Sequence, residues 1–138
     1  MEILIKIISF ALLAALIIFP ILILNLLNKR KVKNAFIPYF ISSLIITFFL
    51  VLVIAWWSHF SNKLLLSHYG YNFEGMDDIE RFKNVAHENL EKVKTLRISV
   101  MGIGWPVKVL FFYPIYLPSL LIIYFGSYFY NKIKQKSK

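Results

Sequence analysis

Residues 36–60 read FIPYFISSLIITFFLVLVIAWWSHF, a stretch without one charged side chain. A helix needs roughly 20 apolar residues to cross the ~30 Å hydrocarbon core of a bilayer, and this run exceeds that. Two more runs pass the same test, Ile7–Leu27 and Val109–Tyr130, the last one opening at Pro106. The sequence therefore predicts an all-α membrane protein with three transmembrane helices, at about residues 7–27, 36–60 and 106–130. A short helical extracytoplasmic segment, about 61–104, joins the second and third. The whole chain, 1–138, reads as a single membrane domain.

The bulk composition agrees. Of 138 residues, 59% are hydrophobic and only 17% are charged, whereas soluble domains carry about 25% charged residues. The net charge of +9 is gathered into two knots, Lys29, Arg30, Lys31 and Lys33, and Lys132, Lys134, Lys136 and Lys138. Each follows an apolar span directly. Basic residues in that position set topology and meet anionic lipid head groups, so lipid rather than nucleic acid is the expected partner of both knots. The chain has no cysteine, which rules out disulfides and thiolate metal sites. The first span is too long for a signal peptide, and its positive charge mainly follows it; a retained anchor is expected.

The two knots are purely basic and are separated by two spans, so the positive-inside rule places both in the cytoplasm. The N-terminus and the 61–104 segment then lie outside, in a membrane predicted to be the bacterial inner membrane. Trp56, Trp57 and Trp105 fall at the expected outer border, and Tyr39, Tyr128 and Tyr130 at the inner one, where aromatic rings with a polar tip prefer to sit.

Within the spans, Pro20 removes one helix hydrogen bond, and Ala11 and Ala15 offer a small-residue patch for close packing. Ser43, Thr47 and Ser58 share one side of the second helix and are expected to face into the bundle. They either bond to carbonyls of their own helix or form a polar seam with another subunit. The third span begins Gly102-Ile-Gly104-Trp105-Pro106. Pro106 suits a first helical turn. Pro114 and Pro118 do not, and they deprive the Leu110 and Pro114 carbonyls of their donors. Two readings stand: a kinked helix, or an irregular segment that receives a partner helix or lines a small cavity. Ser119, Gly126 and Tyr130 are the expected packing seam below the prolines.

The 61–104 segment starts with Leu64–Leu66, and the following Ser67–Asn72 reads as turn or loop. Asp77-x-x-Glu80 reads as a capping box opening a short helix with Ile79 and Phe82 on its apolar side. A second helix is expected over about Glu88–Met101, with Leu90, Val93, Leu96 and Val100 on one face and a Glu88–Lys92 pair. Such short helices are expected to cap the bundle or hold a partner.

Chemistry is sparse. His59, His68 and His87 show no metal-ligand spacing, and no nucleophile, phosphate-loop or dinucleotide motif is present. No ionisable residue lies deep in a span, against the habit of transporters. Catalytic residues, cofactors and metals are accordingly expected to be none. The layout resembles that of small bacterial three-span proteins: bacteriocin immunity proteins, phage or plasmid exclusion proteins, and accessory subunits of membrane complexes. The resemblance is of architecture and transfers no residues. It implies a non-enzymatic accessory, regulatory or immunity/exclusion-type binding partner of another membrane protein. The expected contacts are Asp77, Asp78, Glu80, Arg81, Gly102, Gly104, Trp105, Pro106, Pro114 and Pro118. The alternatives are a homo-oligomeric channel or lipid- or ligand-binding protein using Thr47 and Ser58, and an enzyme acting on lipid through Asp77, Asp78 or His68.

Overall fold

The structure is a computed structural model that describes residues 1–136, with side chains through Ile133; Lys138, the last of the C-terminal lysines, lies outside the described residues. The elements in chain order are α1 (Glu2–Lys29), α2 (Phe36–His68), α3 (Asp78–Phe82), a 3-10 turn (His87–Asn89), α4 (Leu90–Met101) and α5 (Trp105–Lys136). There is no strand among the described residues. Helices α1, α2 and α5 are each long and apolar enough to span a membrane, and the chain is an integral membrane protein.

α2 is the central helix. It packs along α1 on one side and α5 on the other, while α1 and α5 meet only sparingly. The shared core is Val51 of α2 with Val109 and Tyr113 of α5, ringed by Leu16, Leu44, Phe48 and Leu117. Phe48 meets the Tyr113 ring edge-on at 5.2 Å. Lipid tails are as apolar as these side chains, so close packing and hydrogen bonds, not water exclusion, hold such a bundle together.

α1 turns inward through Ile5, Pro20 and Leu24, and Ala11 is exposed, so the Ala11–Ala15 patch is not its packing face. α1 ends in a hydrogen-bond pair that caps helix C-termini, Val32 N–H to Leu27 O and Lys31 N–H to Asn28 O. That cap needs a left-handed residue, and Lys31 supplies it at φ 51°. Glycine is the usual occupant, because an L side chain costs about 1–2 kcal/mol there; here a positive charge stands instead.

α2 runs eight residues beyond the expected span, correcting the turn reading at Ser67 and His68. The extra turns carry the cap. Leu66 packs with Tyr71 and Val93, and Phe82, Val85, Leu96 and Val100 close around them. Gly70 ends the helix at φ 83°, where an added Cβ would stand 2.5 Å from the Asn84 carbonyl oxygen. Only glycine fits both demands. Asp77 caps α3 as expected, accepting from Glu80 N–H at 2.7 Å. Glu80 reaches back to Met76 N–H at 2.9 Å rather than to the cap residue itself. Phe82 is inside but Ile79 is not, at 82% exposed. The Glu88–Lys92 pair is replaced: Lys92 pairs with Glu2 of α1, and its ammonium lies 4.9 Å from the Tyr69 ring centre. This contact fixes the N-terminus and the α3–α4 cap at one end of the bundle.

α5 is helical throughout. Pro114 and Pro118 are accommodated without unwinding, which overturns the irregular-segment reading. The expected seam of Ser119, Gly126 and Tyr130 is also overturned. A Cβ at Gly126 would meet nothing within 4 Å, and Tyr130 is 66% exposed. The true inward face is Val109, Tyr113 and Leu120, all buried, with Pro114 and Pro118 exposed on the far side.

Candidate functional site

Three tyrosines stitch the bundle. Each gives its phenolic proton to a main-chain carbonyl of a different helix. Tyr39 of α2 donates to Leu120 O at 3.0 Å. Tyr113 of α5 donates to Leu44 O at 2.6 Å. Tyr116 of α5 donates to Leu16 O of α1 at 2.8 Å. Tyr39 is therefore not a head-group anchor; it is fully buried at 0% exposure.

The Tyr116 bond differs from the others. In an α-helix the Leu16 carbonyl would accept from the amide of residue 20. Residue 20 is proline and has no N–H. Tyr116 supplies the missing donor, which explains why Pro20 can be buried inside the bundle. An unpaired carbonyl in the hydrocarbon region costs several kcal/mol, and this phenol removes that cost.

Thr47 joins the same network. Its hydroxyl lies 2.7 Å from Ser43 O and 3.3 Å from the Tyr113 oxygen. Ser43 is buried beside it, with no hydrogen-bond partner for its hydroxyl. Of the expected polar stripe, Ser43 and Thr47 thus face into the bundle, while Ser58 is exposed on a cleft wall.

Pro114 and Pro118 pose the problem Pro20 poses, without its solution. They remove the donors of Leu110 O and Pro114 O. No side-chain hydroxyl or amide among the described residues donates to either. Leu110 is 70% exposed, and Pro114 and Pro118 are exposed beside it. This flank of α5 carries two acceptors without their helix donors, toward what would be lipid.

A cleft opens where α1 and α5 part over α2, toward the cap end. Its volume is about 470 Å³, and its walls include Leu13, Ala55, Ser58, Phe112 and Tyr116. Lys108 is the one charged residue on its lining. A recess of about 280 Å³ continues it along α1 through Leu13, Ile54 and Ser58 to Asn62. At the opposite end a recess of about 400 Å³ lies between α1 and α5, lined by Asn28, Ser127, Asn131 and Lys132.

The predicted contact residues fall into separate places. Asp77 and Glu80 are occupied in capping. Asp78 pairs with Arg97 at 2.8 Å, and Arg97 also lies 5.7 Å from the Phe82 ring centre. That pairing holds the Arg97 guanidinium above its ordinary pKa. Arg81 donates to Gly75 O at 2.8 Å. These side chains build the cap. Gly102 ends α4, and the Gly104 carbonyl accepts the first amides of α5, just before Pro106. Trp105 is half-buried. Exposed apolar residues that the sequence reading left out, Phe73 and Met76, stand on the cap surface. His59, His68 and His87 are not brought together, and no group of three metal-ligand side chains occurs among the described residues.

Comparison of the chain with protein-family models, with curated proteins and with solved structures returned no match.

Proposed function

We propose that this chain is a non-enzymatic accessory, regulatory or immunity/exclusion-type partner of another membrane protein, docking through the exposed flank of α5. One observation carries the proposal: the Leu110 and Pro114 carbonyls lack helix donors on an outward face, while the equivalent carbonyl at Leu16 is satisfied within the chain. A partner helix bearing Ser, Thr, Asn or Tyr would supply donors to this flank. The cap, with its exposed Met76 and Ile79, extends the same contact beyond the membrane.

The charge distribution supports an orientation with the N-terminus and the cap outside and the C-terminus in the cytoplasm of a bacterial inner membrane. Lys29, Arg30, Lys31, Lys33 and the C-terminal lysines would then meet anionic head groups. A pore between copies draws no support from the Ser/Thr face of α2, because Ser43 and Thr47 are fully buried inside one chain.

The test is affinity purification of the tagged full chain from native membranes in mild detergent, with mass spectrometry of what is retained. Pro114→Ala with Pro118→Ala restores both amide donors and closes the helix ladder. A stoichiometric membrane protein is expected with the wild-type chain, reduced about tenfold or more by the double substitution. Full retention by the double variant, or a complex made only of this chain, refutes the docking flank.

A further inference from the structure

The cleft between α1 and α5 is apolar in depth and cationic at its mouth. Its floor is buried Val51 and Val109 with half-buried Leu16 and Ala55, exposed Leu13 and Phe112 form its outer walls, and Ser58 and Lys108 stand toward its cap end. Its volume of about 470 Å³ lies within the roughly 300–1,000 Å³ of small-molecule sites.

Lys108 at the mouth differs from three cations of the cap. Lys92 pairs with Glu2, Lys94 with Glu91, and Arg97 with Asp78. Lys108 has no carboxylate partner among the described residues. Its ammonium makes one long bond, 3.3 Å to Ser99 O, which leaves donors free. Lys63 approaches the same neighbourhood, as both lysines lie near His59. A half-buried lysine with free donors at the border of an apolar groove is suited to an anion, and one whose remainder is hydrocarbon fits the groove behind it.

We infer that this cleft binds one anionic phospholipid, with an acyl chain between α1 and α5 and the phosphate on Lys108. The site lies on a different side of α5 from the proline flank, so it stands or falls apart from the partner reading. The lipid chain would cover Leu13 and Phe112, where α1 and α5 fail to touch, and would complete the bundle at this end. The Ser58 hydroxyl adds a second donor to the head group.

The experiment is native mass spectrometry of the delipidated full chain titrated with phosphatidylglycerol or with phosphatidylcholine of the same acyl chains. One phosphatidylglycerol is expected to bind about tenfold more tightly than phosphatidylcholine, the step that a charge-assisted hydrogen bond of about 1.5–3 kcal/mol produces. Lys108→Gln should bring phosphatidylglycerol down to the phosphatidylcholine level. Ser58→Trp, at an exposed wall position that asks no room of the core, should weaken both lipids. Soluble glycerol phosphate should not displace the lipid; if it does so at equal concentration, the site reads phosphate alone and the acyl-chain assignment is wrong. Equal binding of the two lipids by the wild-type chain overturns the proposal. So does a preference that survives Lys108→Gln but vanishes when Lys29, Arg30, Lys31 and Lys33 are all changed to Gln, which would place the lipid at the opposite end.

Discussion

Pro20 in α1 and the Pro114–Pro118 pair in α5 create the same chemical deficit and meet opposite surroundings. Pro20 is buried, and the carbonyl it strands is bonded by Tyr116. Pro114 and Pro118 are exposed, and the carbonyls they strand have no side-chain donor among the described residues. The first is a deficit closed inside the fold. The second leaves two carbonyls without their i+4 donors on the outside, where another molecule can supply one. A proline in a membrane helix thus becomes informative once the location of its stranded carbonyl is known.

The largest effect is expected from Tyr116→Phe, which keeps the ring and removes the donor. Leaving a buried acceptor unpaired costs about 1–3 kcal/mol, and interhelical bonds in membranes reach about 1.7 kcal/mol; a loss of about 1.5 kcal/mol should appear in reversible unfolding from mixed micelles. In a Pro20→Ala background the amide of residue 20 returns, and the same substitution should then cost less than about 0.5 kcal/mol. Equal costs in both backgrounds would break the link between Pro20 and Tyr116.

Tyr39→Phe and Tyr113→Phe should cost less, about 0.6 kcal/mol each, the average for such bonds. Their acceptors, Leu120 O and Leu44 O, keep the helix donors of Tyr124 and Phe48. Pro114→Ala with Pro118→Ala should leave unfolding stability unchanged or slightly raised, since both amides return to the ladder. A marked destabilisation would mean that the proline flank supports the fold and is not reserved for a partner.

The smallest effect concerns the exposed tie between Glu2 and Lys92. The hydrogen bond from Lys92 lowers the Glu2 pKa. A carboxylate with a depressed folded-state pKa contributes its stabilisation above its unfolded value and loses it as pH falls through the lowered one. Amide exchange in α4 should therefore quicken only below the ordinary carboxylate range, and Glu2→Gln should abolish that pH response.

The spans were legible because a charge-free run longer than the bilayer core admits few other readings. The extension of α2 was not, because Ser67, His68 and Gly70 resemble a turn in isolation; Leu66 stays helical because Tyr71 and Val93 cover it. The seam of α5 was misplaced for a related reason. Small residues at Ser119 and Gly126 suggested close packing, but the faces are set by what α2 presents, and it presents Thr47, Phe48 and Val51 to Tyr113 and Val109. Pro20 announced a missing donor, yet nothing local named its replacement, which lies 96 positions further on at Tyr116. Lys108 could be read as a span-end charge but not as the mouth of a cleft, since the cleft exists only where α1 and α5 part.

The Tyr116 bond also sets an order in time. α1 is made first, and its Leu16 carbonyl waits for a hydroxyl from the last helix. Until α5 has entered the bilayer, the first two helices hold a stranded acceptor that water or a chaperoning polar group must serve. Arrival of the final span is then the closing step of assembly, the one that supplies Leu16 with its donor.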